Sequence, residues 1–289
     1  MGARKRIAIL LSEHDRYPRR QGYFIWAMCQ IWELDGIEIK ILKGIEKTVE
    51  ADLLIPHIDL TTIPPDYAAF FDRFPRVVNR QLLDISKRRI SPNLVTSSDA
   101  YAGQVIVKTN LNCGGIPEAR ISGTMPKEPK TSWWKLFTRK ETAEPIDWAK
   151  LESIAAADYK VFPSLNDVPA AAFENPALVV EKFLPEMSDG LYRLRIYQFF
   201  GDRGYCALLG SREPIVKMKS IVTREEIPVP DEIIALRRQL GLDYGKMDFV
   251  IRDGQVVLFD INRTPGRIKP EQRLQANAQK LAPGIHSFF

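Results

Sequence analysis

The chain has 289 residues, 45% hydrophobic and 27% charged, enough to bury the cores of two domains or three small ones. Its 41 lysines and arginines against 36 acids leave a formal charge of +5. Those basic residues are scattered, whereas a nucleic-acid binder carries a basic stripe on a recognisable module, so a polyanionic small molecule is the better-matched ligand. Cys29, Cys113 and Cys206 are odd in number and lack zinc spacing, so reduced thiols in a cytoplasm are expected. The early apolar run at residues 7–11 is too short for a signal peptide or a membrane span.

In chain order, residues 6–11 (RIAILL) form a short buried strand, and residues 21–34 carry Phe24, Ile25, Met28, Ile31 and Trp32 at helical spacing. Gly36 ends that helix, residues 37–42 alternate as a second strand, and residues 51–58 and 76–79 are further strand candidates. Strand, helix and strand with a short loop predict a βαβ unit and a parallel sheet, whose ligands bind outside the carboxyl ends of the strands. The loop after the first strand (Glu13, His14, Asp15, Arg16, Arg19, Arg20) therefore lies where a second substrate could sit. Its arginines either hold a carboxylate or face solvent.

Residues 84–89 give a basic helix end, with Lys87 a candidate phosphate contact. Residues 105–108 form a strand whose apolar pattern breaks at Lys108, just before a loop containing Gly114 and Gly115. An ammonium at a strand end beside glycines is one way to hold phosphate, although this is not a P-loop. Residues 116–150 form a polar insertion with four prolines and the cluster Trp133-Trp134-Lys135-Leu136-Phe137, which is either a satellite core or a partner surface. Residues 159–162 and 177–183 read as strands, with Ser164 placed to cap a helix start.

The strand at residues 178–186 exits through Phe183 and Leu184 into Pro185, where backbone and flat apolar side chains can meet the edge of a purine and Glu186 can reach ribose hydroxyls. Residues 191–200 alternate so that Arg193 and Arg195 share a face with Tyr197; two arginines on a half-buried strand need anionic company, and phosphate is a natural one. Arg212 and Lys217 follow the neighbouring strand at residues 205–209. Asp231 is expected to cap a helix running to Gln239, and a last helix is expected over residues 270–281.

Residues 248–262 (DFVIRDGQVVLFDIN) read as a hairpin turning at Asp253-Gly254. A two-residue turn pairs Asp248 with Phe259, while a three-residue loop or a bulge at Gly254 pairs Asp248 with Asp260. The second register is expected because it gathers Phe249, Ile251, Val257, Phe259 and Ile261 on a buried face and leaves Asp248, Asp260 and Asn262 together on the other. Two carboxylates about 4 Å apart repel by roughly 4 kcal/mol at an effective dielectric near 20, so a cation is required between them. Carboxylate and amide oxygens suit Mg²⁺ held jointly with substrate phosphates.

The ordered set of Lys108 with its glycine loop, Glu181-Lys182-Phe183-Leu184, Arg193-Leu194-Arg195, Met247-Asp248, Asp260-Ile261-Asn262 and Pro265-Gly266 resembles the ATP-grasp superfamily, over about residues 80–270. The resemblance implies an α/β and α+β architecture, the ATP-grasp fold, in which two α+β subdomains clasp ATP. Subdomain A spans residues 81–180 with the 116–150 insertion, and subdomain B spans residues 181–289. A small parallel-sheet domain, residues 1–80, precedes them. It further implies that Lys108, with Gly114 and Gly115, contacts phosphate, with Lys87 a weaker match. Glu181, Lys182 and the Phe183 and Leu184 backbone read adenine, Glu186 holds ribose, Arg195 and Arg212 meet the transferring phosphate, and Asp248, Asp260 and Asn262 bind Mg²⁺. Most relatives carry Glu where this chain has Asp260.

The expected activity is ADP-forming, Mg·ATP-dependent ligation of a small-molecule or peptide carboxylate to an amine or thiol through an acyl phosphate. No nucleic-acid or membrane partner is expected, and dimers are common among look-alikes, which keeps a homodimer open. The alternatives are a phosphotransferase of the same superfamily and a nucleotide-binding module without catalysis.

Overall fold

A computed structural model describes residues 4–15, 22–122, 146–154 and 158–289. Strand β1 (Arg6–Leu11) leads through helix α1 (Ile25–Leu34) to β2 (Glu38–Lys43), β3 (Leu53–Pro56), α2 (Pro65–Phe70) and the single turn α3 (Lys87–Ile90). Then come β4 (Val105–Thr109), α4 (Ile116–Ser122), β5 (Lys160–Phe162), α5 (Ala170–Glu174) and β6 (Leu178–Lys182). The remainder is β7 (Glu186–Ser188), β8 (Leu191–Phe200), β9 (Arg203–Ser211), β10 (Ile221–Ile227), α6 (Asp231–Gln239), β11 (Tyr244–Arg252), β12 (Gln255–Asn262) and α7 (Glu271–Leu281). Contacts divide the chain into two compact units, one joining Met1–Pro92 to Leu184–Phe289 and the other comprising Asn93–Phe183.

The first unit holds two sheets. The first, ordered β2-β1-β3, is wholly parallel, as the strand-helix-strand pattern predicts. Its centre is β1, where Ile7 and Ile9 enter the core shared with α1 and α7 while Ala8 and Leu10 enter a second core under α2. Alternation in a strand covered on both faces leaves no polar side, which is why RIAILL reads as a continuous apolar run. The helix starts at Ile25, later than its apolar spacing suggests: Gly22 has φ +91° and Tyr23 is bridged to Gly266, so the chain turns before it can coil. Gly36, with φ +81°, ends the helix as expected. The candidate strand at residues 76–79 is reduced to a single parallel bridge between Leu54 and Val77, because Asn79 turns left-handed at φ 58°.

The second sheet of this unit runs β10-β9-β8-β11-β12, with short β7 pairing on β8. Its buried face packs Tyr197, Phe199, Met247, Phe249, Leu258 and Ile261 against Ile233 of α6 and against Leu82 and Ile85. Pro230, not Asp231, occupies the position before α6; Asp231 is its first residue, where its charge favours the helix N-terminus. Gly241 ends that segment at φ +64°.

The second unit holds the antiparallel sheet β5-β4-β6, with Val105, Val107, Leu178 and Val180 in its core. Ser164 and Asp167 cap one another at the start of a short 3₁₀ turn, Ser164 Oγ donating to Asp167 Oδ2 at 2.8 Å. Of the 116–150 insertion, residues 116–122 are α4, and the aromatic cluster at residues 133–137 lies outside the described residues.

Candidate active site

The hairpin of β11 and β12 pairs Asp248 directly with Asp260 and Lys246 with Asn262. The pairing is the expected one, but its cause is different. The turn is a two-residue one, with Arg252 opposite Gln255 and Asp253 and Gly254 at φ 51° and 75°. The register instead shifts between Asp248 and Phe249, where Phe259 is the extra residue of a β-bulge. The bulge also changes the buried face. Leu258, not Val257 or Phe259, joins Phe249, Met247 and Ile261 in the core, while Ile251 and Val256 pack partly buried beside them.

The cation demanded by two facing carboxylates is already partly supplied by the protein. Lys246 Nζ lies 2.9 Å from Asp248 Oδ2, and Lys87 Nζ lies 3.5 Å from Asp260 Oδ1. Lys87, expected at phosphate, thus reaches one of the acids from α3, and its side chain is almost wholly buried. Burial pushes the Asp248 carboxyl above the usual carboxylate range; Lys246 opposes the rise and Asp260 adds to it. Asp248 Oδ1 is buried with no hydrogen-bond partner among the described residues. Asn262 Oδ1 accepts from the Thr264 amide at 2.7 Å, and Thr264 Oγ1 donates to Asp59 Oδ1 at 2.8 Å.

Two carboxylates and an amide oxygen are donors of the kind a hard divalent cation takes, and one of the carboxylate oxygens, Asp248 Oδ1, is buried with no partner among the described residues. Among the described residues no three His, Cys, Asp or Glu side chains cluster closely enough to hold a metal ion by themselves. Were a divalent ion held by Asp248, Asp260 and Asn262, its further ligands would be phosphate and water, the usual habit of Mg²⁺.

The strand arginines find protein anions. Arg195 pairs with Glu186, whose same oxygen accepts the Ile251 amide at 2.7 Å, and Arg195 Nε is buried without a partner among the described residues. Arg193 pairs with Asp189 at 2.8 Å and reaches Ser188 at 2.7 Å. The anionic company that the sequence reading assigns to phosphate is therefore carboxylate at both positions. Arg212 is exposed just beyond β9.

In the second unit Lys108 Nζ lies 2.5 Å from Glu181 Oε2, both side chains being buried. Glu181 Oε1 is buried with no partner among the described residues, an acceptor suited to an exocyclic amine. The Lys182 and Phe183 amides already donate, to Asn93 O and Gln104 O at 2.8 Å each. The Phe183 amide, expected to face a purine, is therefore already paired within its own unit. Lys182 Nζ lies 5.3 Å from the centre of the Tyr101 ring. After β4 the chain passes through Cys113, Gly114 and Gly115 at φ 50°, 68° and 75°, a left-handed run for which glycine is the natural residue.

At the carboxyl end of the parallel sheet, the Tyr23 hydroxyl lies 3.1 Å from Asp15 Oδ2 and 3.2 Å from Asp59 Oδ2. Arg16, Arg19 and Arg20 lie outside the described residues. Arg263 is buried and donates to the Leu82, Leu60 and Thr61 carbonyls at 2.6, 2.8 and 3.0 Å, tying the segment after Asn262 to the N-terminal part of its unit. Sequence reasoning missed Lys246, Thr264 and Asp59. Lys246 carried a signal, since it lies two residues before Asp248 and so shares its strand face.

No family model matches the chain, and no curated protein matches it. Among solved structures, D-alanine–D-alanine ligase from Bacillus anthracis superposes with a TM-score of 0.51 at 12% identity, covering 98% of this chain and 95% of that one. The macrocyclase MdnC from Microcystis aeruginosa, bound with its precursor peptide MdnA, superposes with a TM-score of 0.50 at 11% identity, covering 96% and 99%. The chain has the ATP-grasp fold.

Proposed function

We propose that the protein is an ADP-forming, Mg·ATP-dependent ligase that joins a carboxylate to an amine, or to a thiol. The observation that carries this reading is the cross-strand pairing of Asp248 and Asp260 with Asn262 nearby, Asp248 Oδ1 being buried and without a partner. Its support from the comparisons is one of kind: one neighbour is a D-alanine–D-alanine ligase and another is a macrocyclase bound with a peptide. Small-molecule or peptide carboxylates and amines are accordingly the substrate classes. Three sheets suit a three-part chain, with a parallel-sheet domain ahead of two ATP-grasp subdomains.

In this reading Asp248, Asp260 and Asn262 hold Mg²⁺, which would neutralise phosphate charge as the phosphoryl group transfers. Lys108 serves phosphate, with Gly114 and Gly115 allowing close backbone approach. Glu181 accepts the adenine amine and the Leu184 amide donates to the ring, while Phe183 supplies apolar contact. Arg195 turns to the transferring phosphate as Glu186 turns to ribose, an exchange of partners favoured by the unpaired Arg195 Nε. Arg212, being exposed, is free to approach the same phosphate.

Chemically, a substrate carboxylate oxygen attacks the terminal phosphorus of ATP and ADP leaves. The amine then attacks the acyl carbon, loses its proton, and orthophosphate leaves. No protein nucleophile is required, so the burden on the chain is orientation and charge. A phosphate-release screen of carboxylates crossed with amines, run with Mg·ATP, tests the proposal. Release that needs both substrates is expected. Turnover that phosphorylates a hydroxyl and yields no hydroxamate with hydroxylamine would make it a phosphotransferase instead.

A further inference from the structure

Each of the two acids has a lysine at its side, Lys246 2.9 Å from Asp248 and Lys87 3.5 Å from Asp260. Both contacts lie among half-buried or buried groups, where charge is weakly screened. A bare divalent cation arriving here meets carboxylates that already have ammonium partners, and it must displace them while bringing no anion of its own to receive them. A metal–triphosphate complex is different. It arrives as a net anion, so its metal can take the carboxylates while its phosphate oxygens take the displaced ammonium groups.

We infer that Lys246 and Lys87 are exchangeable counter-ions of the acid pair, which make the site refuse a bare divalent ion and accept the ion together with its polyphosphate. The inference rests on the metal reading of Asp248 and Asp260, and it adds an order of events: metal and nucleotide enter as one ligand. It also gives a reason for a lysine on β11 two residues before the acid, and for a lysine held in a nearly sealed position on α3. A purely structural pair of salt bridges would not need a buried carboxylate oxygen with no partner, which Asp248 has.

The experiment uses Mn²⁺ as the probe and the full chain, with water proton relaxation enhancement reporting only macromolecule-bound Mn²⁺. Titrations are run on the wild type, Lys246→Met, Lys87→Met and Asp248→Asn, each with and without a non-hydrolysable ATP analogue. Lys246→Gln is a second variant if Lys246→Met fails to fold. Wild type should bind bare Mn²⁺ weakly and Mn²⁺ with the analogue far more tightly. Each lysine variant should bind bare Mn²⁺ about tenfold more tightly than wild type, because one competing charge at close range has been removed. Damage to the fold cannot produce that gain. Tight binding of bare Mn²⁺ by wild type, or lysine variants no tighter than wild type, would overturn the inference while leaving the metal reading in place. Absence of bound Mn²⁺ in wild type even with the analogue would overturn both.

Discussion

Asp248 and Asp260 face each other across β11 and β12 because Phe259 is one residue too many for a regular ladder. With the two-residue turn at Asp253-Gly254, an unbulged β12 would set Phe259 opposite Asp248, turn Asp260 into the core opposite Met247 and turn Ile261 out of it. The bulge absorbs Phe259 and keeps Leu258 in the core on one side and Asp260 out of it on the other. Bulges commonly re-aim side chains at active sites, and this one sets the geometry on which the proposed metal site depends.

The Lys108–Glu181 pair is buried on both sides, so removing one partner should cost more than removing both. Lys108→Met alone should lower stability by about 3 kcal/mol, since it strands a carboxylate in the core of its unit. The double variant Lys108→Met with Glu181→Gln should recover most of that loss. Urea unfolding of the four proteins in the cycle measures it, and additive losses would show that the two residues do not act as a pair.

Arg263 satisfies three carbonyls with one planar guanidinium. Arg263→Met should destabilise the protein by about 2–4 kcal/mol, the cost of leaving buried acceptors unmade. Arg263→Lys should recover little of it, because a single ammonium cannot reproduce the fork. Thermal unfolding reads both; a lysine variant as stable as wild type would contradict this account of the residue.

His57 is wholly buried, its ring 4.5 Å from that of Tyr23, and neither ring nitrogen has a partner among the described residues. Burial lowers its pKa to about 3. The unfolded value is near 6.5, so the neutral ring's contribution is complete above about pH 6.5 and is lost as the pH falls from there toward 3, at about 1.4 kcal/mol per pH unit. His57→Leu should remove one proton's worth of slope from the unfolding free energy between pH 6 and pH 4. Equal slopes in the two proteins would mean that the ring titrates normally in the fold.

Much of the fold was legible because it follows local pattern. The parallel sheet could be read from RIAILL and the helix after it, and the acid pair from choosing the hairpin register that buries Phe249 and Ile261 together. What could not be read depends on distant partners. Lys87 meets Asp260 across 173 residues and Thr264 meets Asp59 across 205, and no periodicity reports such contacts. For Arg193 and Arg195 the need for anions was legible, but not that Asp189 and Glu186, four and nine residues away, would be their partners in this structure. The bulge was also hidden, since an extra apolar residue in an apolar strand leaves no mark in composition. Lys246, by contrast, was visible from its spacing to Asp248.

The most direct test of the central claim is ADP formation from Mg·ATP in a pooled set of carboxylates, with hydroxylamine present, by wild type and Asp248→Asn. The account predicts ADP and a matching hydroxamate from wild type. From the variant it predicts a loss of about a hundredfold or more in both, with its thermal unfolding little changed. Equal ADP formation by the two proteins would contradict it.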